Sequence, residues 1–187
     1  MKMRNVLFVL ALFAVAELFG QNNDNCVINS ILSSYSERAY STEPVTDQQI
    51  DLILQCGIKA PSARNLQPWK FTVIKDETLI KEVINNIVPG NIIIVISGVE
   101  SENGTTPDFD CGLATESMFV AAHGLGLGAR IYGGPTGTIN SNRERFQIPA
   151  GYKPVMILRI GNVDMSIDAV SAATPRKTPE EVINFYR

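Results

Sequence analysis

The stretch Asn91–Val99, reading NIIIVISGV, is a near-continuous run of β-branched and apolar residues. A strand with one wet face alternates apolar and polar side chains, and this run offers no polar face to water. It predicts a strand buried on both sides, inside a sheet that the rest of the chain must cover above and below. Helical and extended patterns alternate along the chain, which indicates an α/β or α+β domain with a mostly buried sheet. Asp24–Ser33 reads as a short helix carrying Val27, Ile28, Ile31 and Leu32. Thr46 suits an N-cap, and Ile50, Ile53, Leu54 and Gly57 follow at helical spacing until Pro61 forces an end. Lys70–Ile74 reads as a strand, and Asp76 caps a helix through Val83 and Ile84. Asp110 opens a long helix, Arg130–Gly133 and Val155–Val163 are strands, and Asn140–Phe146 is a short polar helix between them. Pro179–Phe185 is a final helix or an extended tail.

The chain has 187 residues, 45% of them hydrophobic and 19% charged, which fits one ordinary globular domain and excludes disorder. A net charge of −3 without a Lys/Arg run gives no electrostatic footprint for nucleic acid. One histidine, His123, and three scattered cysteines cannot make a zinc site of the usual spacing. His123 has no evident partner and reads as a helix-terminal or packing residue. Cys56 and Cys111 fall inside helical patterns and read as small buried hydrophobes.

Lys2 and Arg4 precede the apolar run Val6–Val15, the form of a secretory signal peptide. The run is shorter than the ~20 residues needed to span a bilayer. Residues 1–20 are therefore expected to be a removable leader, leaving residues 21–187 as a single exported domain, periplasmic or secreted, with no membrane insertion. Retention of the leader would instead leave the protein cytoplasmic or anchored. Export permits disulfides, but an odd cysteine count leaves at least one thiol unpaired within the chain. Asn103-Gly104-Thr105 fits a glycosylation acceptor.

Four segments are candidates for chemistry. Gly124-Leu-Gly126-Leu-Gly128 follows a helix and precedes a strand, the reverse of the dinucleotide-binding order, so it reads as helix termination. Ser34-Tyr35-Ser36-Glu37-Arg38 offers two hydroxyls and a guanidinium, a set that suits a phosphate, with a solvated turn as the equal alternative. Ala60-Pro-Ser-Ala-Arg-Asn-Leu-Gln-Pro-Trp-Lys-Phe71 lies between a helix end and a strand, where Ser62, Asn65, Gln67 and backbone N–H groups can face a ligand. Trp69 heads the strand and reads as core. Pro175-Arg176-Lys177 is a small cationic cluster near the end of the chain.

Taken in order, these segments resemble the nitroreductase family of flavin mononucleotide (FMN) oxidoreductases, over about Ile28 to Phe185. The matching parts are Ser34–Tyr40, Pro44–Gly57, the APSxxNxQPWxF-like Ala60–Phe71, Asp110–Gly128, Gly133-Gly134, Pro149–Tyr152 and Arg176–Val182. The resemblance implies an α+β three-layer sandwich around a mixed, mostly antiparallel sheet, in an intertwined homodimer with two FMN sites built from both subunits. It assigns Ser34, Ser36 and Arg38 to the phosphate, with Arg176 or Lys177 closing on it. Pro61, Ser62, Ala63, Asn65 and Gln67 border the flavin ring, and backbone at Tyr132, Gly133 and Gly134 covers one ring edge. The implied activity is ping-pong two-electron transfer through FMN N5, from NAD(P)H to a quinone-, nitro- or enone-like acceptor. No side chain is singled out as catalytic, because the cofactor carries the chemistry. The family usually has a basic residue where Ser34 or Tyr35 stands, which also suits a flavin carrier or redox sensor without turnover. The span Ile74–Asp110 is short where many relatives carry the helices of a substrate lid.

Overall fold

The computed structural model describes residues 25–99, 107–170 and 174–186. The leader at residues 1–20 and the Asn103-Gly104-Thr105 motif lie outside them. Along the chain run α1 (Cys26–Ser33), α2 (Asp47–Ile58), β1 (Trp69–Ile74), α3 (Glu77–Lys81), β2 (Ile92–Val99), α4 (Pro107–Gly124), β3 (Leu127–Tyr132), α5 (Thr136–Ser141), β4 (Tyr152–Asn162) and α6 (Pro179–Val182). Helix α1 forms a unit separate from residues 34–187. Its Val27, Ile28, Ile31 and Leu32 are exposed.

The four strands form one sheet in the order β1-β2-β4-β3, with every ladder antiparallel. Among the described residues, Ser36 and Ala129 add an isolated parallel bridge at its edge. Strand β2 is interior, with Ile94 opposite Val73 on one side and Leu158 on the other. Alternation then sends successive residues of β2 into two cores. Ile92, Ile94 and Ile96 join Ile53 of α2, Met118 and Ala122 of α4, and Leu158. Ile93 and Val95 join Ile80 of α3, Ile139 of α5, Phe146 and Ile157. This is the three-layer α+β sandwich, and it explains why β2 has no polar face.

Several boundaries differ from the sequence reading. Helix α4 begins at Pro107, whose fixed φ suits a first turn, rather than at Asp110. Helix α5 is Thr136–Ser141, not Asn140–Phe146. The Thr136 hydroxyl donates to the Gly133 carbonyl at 2.7 Å, and Asn142 leaves helical geometry at φ −126°. Helix α3 ends at Lys81, and β3 and β4 start at Leu127 and Tyr152, earlier than expected. Cys111 is buried, and its thiol is pushed up to about 12, first by burial and then by Asp108 and Asp110. Cys56 is exposed, contrary to expectation, because α2 turns Ile50, Ile53 and Gly57 inward and leaves position 56 to solvent.

One buried cation went unforeseen. Arg159 of β4 is 1% exposed, its guanidinium lies 4.0 Å over the Tyr40 ring, and its Nε donates to Asn91 Oδ1 at 2.8 Å. Beside it, Gly128 and Gly161 stand opposite each other on β3 and β4. A Cβ at Gly128 would lie 2.4 Å from Glu37 Cγ, and one at Gly161 2.3 Å from Asn91 Nδ2. Glycine at both positions lets residues 37–40 and Asn91 lie close against the sheet.

Candidate functional site at the outer edge of the sheet

Residues 34–38 form a strap against the outer edge of β3. It is anchored by the Ser36–Ala129 bridge and by Glu37 N–H donating to the Ala129 carbonyl at 3.0 Å. Ser36 and Arg38 are exposed, Ser34 and Tyr35 half-buried, and Glu37 and Ala39 buried. Ser36 and Arg38 are thus exposed on either side of the buried Glu37, and a hydroxyl beside a guanidinium has the chemistry to meet a phosphate.

Around Glu37 lies a network that the sequence reading missed. The Glu37 carboxylate accepts from Arg38 N–H and Ala39 N–H, both at 2.8 Å, and from the Tyr35 hydroxyl at 2.7 Å. Tyr35 is pushed up to about 12, by burial first and by Glu37 next. His123, in the last turn of α4, has Nε2 3.0 Å from the Tyr35 carbonyl oxygen, so Nε2 carries the proton and donates. Its ring packs edge-on against Phe119 at 4.7 Å. The signal for this network was present: a glutamate stands between Ser36 and Arg38.

Burial lowers the His123 pKa, against an opposing pull from the Tyr35 carbonyl and from Glu37 and Glu116. The folded state thus binds the proton less readily than the unfolded chain. Stability is fully present above the unfolded value of about 6.5 and falls as pH drops below it. This histidine is the only one in the chain. Urea midpoints measured at pH 7.5 and 5.5 should show the loss in wild type and a smaller loss in His123→Gln, whose amide can still donate. An equal fall in both proteins would locate the effect elsewhere.

The Pro61–Gln67 loop is strained. Arg64, Asn65 and Gln67 have φ of 52°, 56° and 48°, left-handed values seldom adopted by residues other than glycine. Local bonds hold it: Gln67 N–H donates to Ser62 Oγ at 3.0 Å, and Ala63 N–H donates to Asp110 Oδ1 at 3.1 Å. Asp110, 3% exposed in the first turn of α4, is thus the loop's anchor rather than the helix opener. Strain of this kind clusters at ligand sites, because only surrounding structure can maintain it. Asn65 and Gln67 are exposed, and Gln67 Nε2 donates to Asn65 Oδ1 at 3.3 Å. Trp69 is buried, as expected of a core residue.

At the end of β3, neither packing nor backbone demands the glycines. A Cβ at Gly133 or Gly134 would meet nothing within 4 Å, and neither has a positive φ. Bare backbone there suits close approach by something outside the chain. The Tyr132 hydroxyl just before them is buried without a hydrogen-bond partner among the described residues.

The structure brings some of these groups together and keeps others apart. Ala129, beside Ser36, is roughly 10 Å along β3 from Tyr132 at ordinary strand rise. The strap and the Gly133-Gly134 turn thus share one sheet edge. The Pro61–Gln67 loop leads into β1 at the opposite edge, roughly 14 Å across at ordinary strand spacing. Helix α4 measures the same separation: Asp110 holds the loop, His123 holds the strap, and roughly 20 Å of helix lies between. Arg176 and Lys177 belong to residues 174–186, which are exposed throughout.

The sequence model of the nitroreductase family matches residues 31–94 and 89–162, well over half of the chain. The chain belongs to the nitroreductase family. Among its relatives, an Archaeoglobus fulgidus protein with a provisional NADH dehydrogenase/NAD(P)H nitroreductase name is 32% identical over 111 residues. That match covers 54% of this chain and 64% of the relative. The FMN reductase [NAD(P)H] of Bacillus subtilis is 25% identical over 189 residues, covering 86% of this chain and 73% of its own. A crystal structure of a Desulfovibrio desulfuricans protein, provisionally a nitroreductase and in complex with FMN, superposes with a TM-score of 0.75 at 26% identity. It covers 88% of this chain and 99% of the other. A Desulfitobacterium hafniense nitroreductase with bound FMN, 20% identical with a TM-score of 0.72, shares the fold over 88% of this chain and 100% of its own. The nitroreductase fold expected from the sequence is therefore established, and the strap and loop described above both lie within the matched residues.

Proposed function

We propose that this nitroreductase-family protein is an FMN-dependent oxidoreductase. It works as a homodimer that passes two electrons from a reduced nicotinamide donor to a quinone-, nitro- or enone-like acceptor. The observation that carries the reading is the strap, where Ser36 and Arg38 are exposed and Ser34 half-buried beside a bare-backbone turn on the same sheet edge. The residues present fit FMN. Hydroxyls and a guanidinium suit a phosphomonoester, and Gly133-Gly134 admits a flat ring close to the backbone. The FMN complex of the D. desulfuricans relative and the FMN reductase name of the B. subtilis one support the same reading. Bound there, FMN supplies the hydride and electron chemistry, and the protein supplies orientation.

The separation across α4 supports a composite site. The strap and Tyr132–Gly134 of one subunit would hold the phosphate and one ring edge, and the partner subunit's strained Pro61–Gln67 loop would border the ring. Arg176 and Lys177, on the exposed arm, would add positive charge from the late segment. Ile58, Leu66 and Phe109, at or near the loop, are 56%, 57% and 66% exposed, an apolar surface that a second copy would cover.

Fluorescence titration of apo-protein with FMN and with riboflavin tests the assignments. Arg38→Ala removes a charge-assisted contact of about 1.5–3 kcal/mol, roughly a 10- to 200-fold loss for FMN, and leaves riboflavin nearly unchanged. Asn65→Ala, assigned to the ring, weakens both ligands alike. Equal losses for FMN and riboflavin in Arg38→Ala would put the phosphate elsewhere.

A further inference from the structure

The inward side of the strap is as specific as its outward side. Glu37 is 0% exposed, and burying a carboxylate is costly unless its oxygens are satisfied. Here both are used: Oε1 takes the N–H groups of Arg38 and Ala39, and Oε2 takes the Tyr35 hydroxyl. The residue's own N–H is spent on β3 through Ala129, and the Tyr35 carbonyl two residues earlier is held by His123. Gly128 leaves room for its stem, since a Cβ there would collide with Glu37 Cγ. The backbone on both sides of position 37 is thereby fixed from within.

We infer that Glu37 is a positioning residue for the flavin phosphate, its carboxylate holding the strap so that Ser36 and Arg38 face outward together. The inference rests on the phosphate reading of the strap. Successive backbone N–H groups in a turn commonly serve as an anion nest. In this strap Glu37 draws the N–H groups of Arg38 and Ala39 inward, so the phosphate falls to the side chains. A buried negative charge beneath an anion site opposes the ligand, so attraction is not what Glu37 contributes. What it contributes is acceptor geometry. The Tyr35 phenol, held protonated by its burial, is the brace that keeps the carboxylate aimed at the two N–H groups.

Charge and geometry separate by substitution. Glu37→Gln keeps an acceptor for the two N–H groups and drops the charge. Glu37→Ala drops both, and Tyr35→Phe removes only the brace. Apo-protein is titrated with FMN and with riboflavin, with Arg38→Ala run alongside. Glu37→Gln should bind FMN as tightly as wild type or up to about 3-fold tighter. Glu37→Ala should lose on the order of 10-fold for FMN, and Tyr35→Phe about 3-fold, with riboflavin within about 2-fold in every case. If Glu37→Ala does not fold, Tyr35→Phe against Glu37→Gln carries the same comparison. Should Arg38→Ala be FMN-selective while Glu37→Ala or Tyr35→Phe weakens both flavins equally or neither, the positioning role is overturned and the phosphate site stands. Should Arg38→Ala itself show no selectivity, the phosphate assignment fails and this inference fails with it.

Discussion

Ile94→Ala is expected to destabilise the fold by about 2–5 kcal/mol, the usual cost of removing a large aliphatic side chain from a closed core. Ile94 is 0% exposed, sits at the centre of β2 between Val73 and Leu158, and points into the core shared by α2 and α4. Neither neighbouring strand can move into the gap without breaking its own ladder, so collapse around the cavity is limited. For a domain of this size about 1 kcal/mol corresponds to 2–4 °C in melting temperature, so the expected fall is roughly 5–20 °C. Leu52→Ala, on the solvent side of α2, should cost no more than about 0.5 kcal/mol. Urea unfolding of the two variants beside wild type measures both. A small effect at Ile94 would mean that β2 is not the buried centre of the sheet.

That strand was legible because its signal is local: β-branched residues without alternation leave no face for water. Of the strap only the chemistry was legible, two hydroxyls and a guanidinium within five residues, and not its pairing with β3. What was not legible depends on residues far apart in the chain. In Arg64-Asn65-Leu66-Gln67 only Asn65 is of a type that tolerates left-handed backbone, and nothing announces it at Arg64 or Gln67. Ser62 and the distant Asp110 impose it. Arg159 interrupts an apolar strand, and its cover comes from Tyr40, Asn86 and Asn91. Helix α5 was misplaced because Thr-Gly-Thr-Ile-Asn-Ser is a poor helix former by propensity. Burial of Ile139 against the sheet fixes it there instead.

Subunit complementation should restore flavin binding that neither parent variant has, if each site takes its strap from one chain and its loop from the other. Within one chain the strap and the Pro61–Gln67 loop are held at opposite ends of α4. One variant carries Ser36→Ala with Arg38→Ala, and the other Asn65→Ala with Gln67→Ala. In a mixed dimer one site would then receive both damaged parts and the other both intact parts. Random pairing makes about half the dimers mixed, so about a quarter of all sites should hold FMN with wild-type affinity. If strap and loop of the same chain formed one site, every site in the mixture would carry one lesion and none would recover. Co-expression of two differently tagged chains, tandem purification of the mixed dimer and flavin quantification by absorbance distinguish the two cases. One FMN per mixed dimer supports the composite site, and none rules it out. The comparison is made with lesions under which each parent homodimer purifies without flavin, so that any FMN in the mixed dimer comes from the segregation of intact parts rather than from residual affinity.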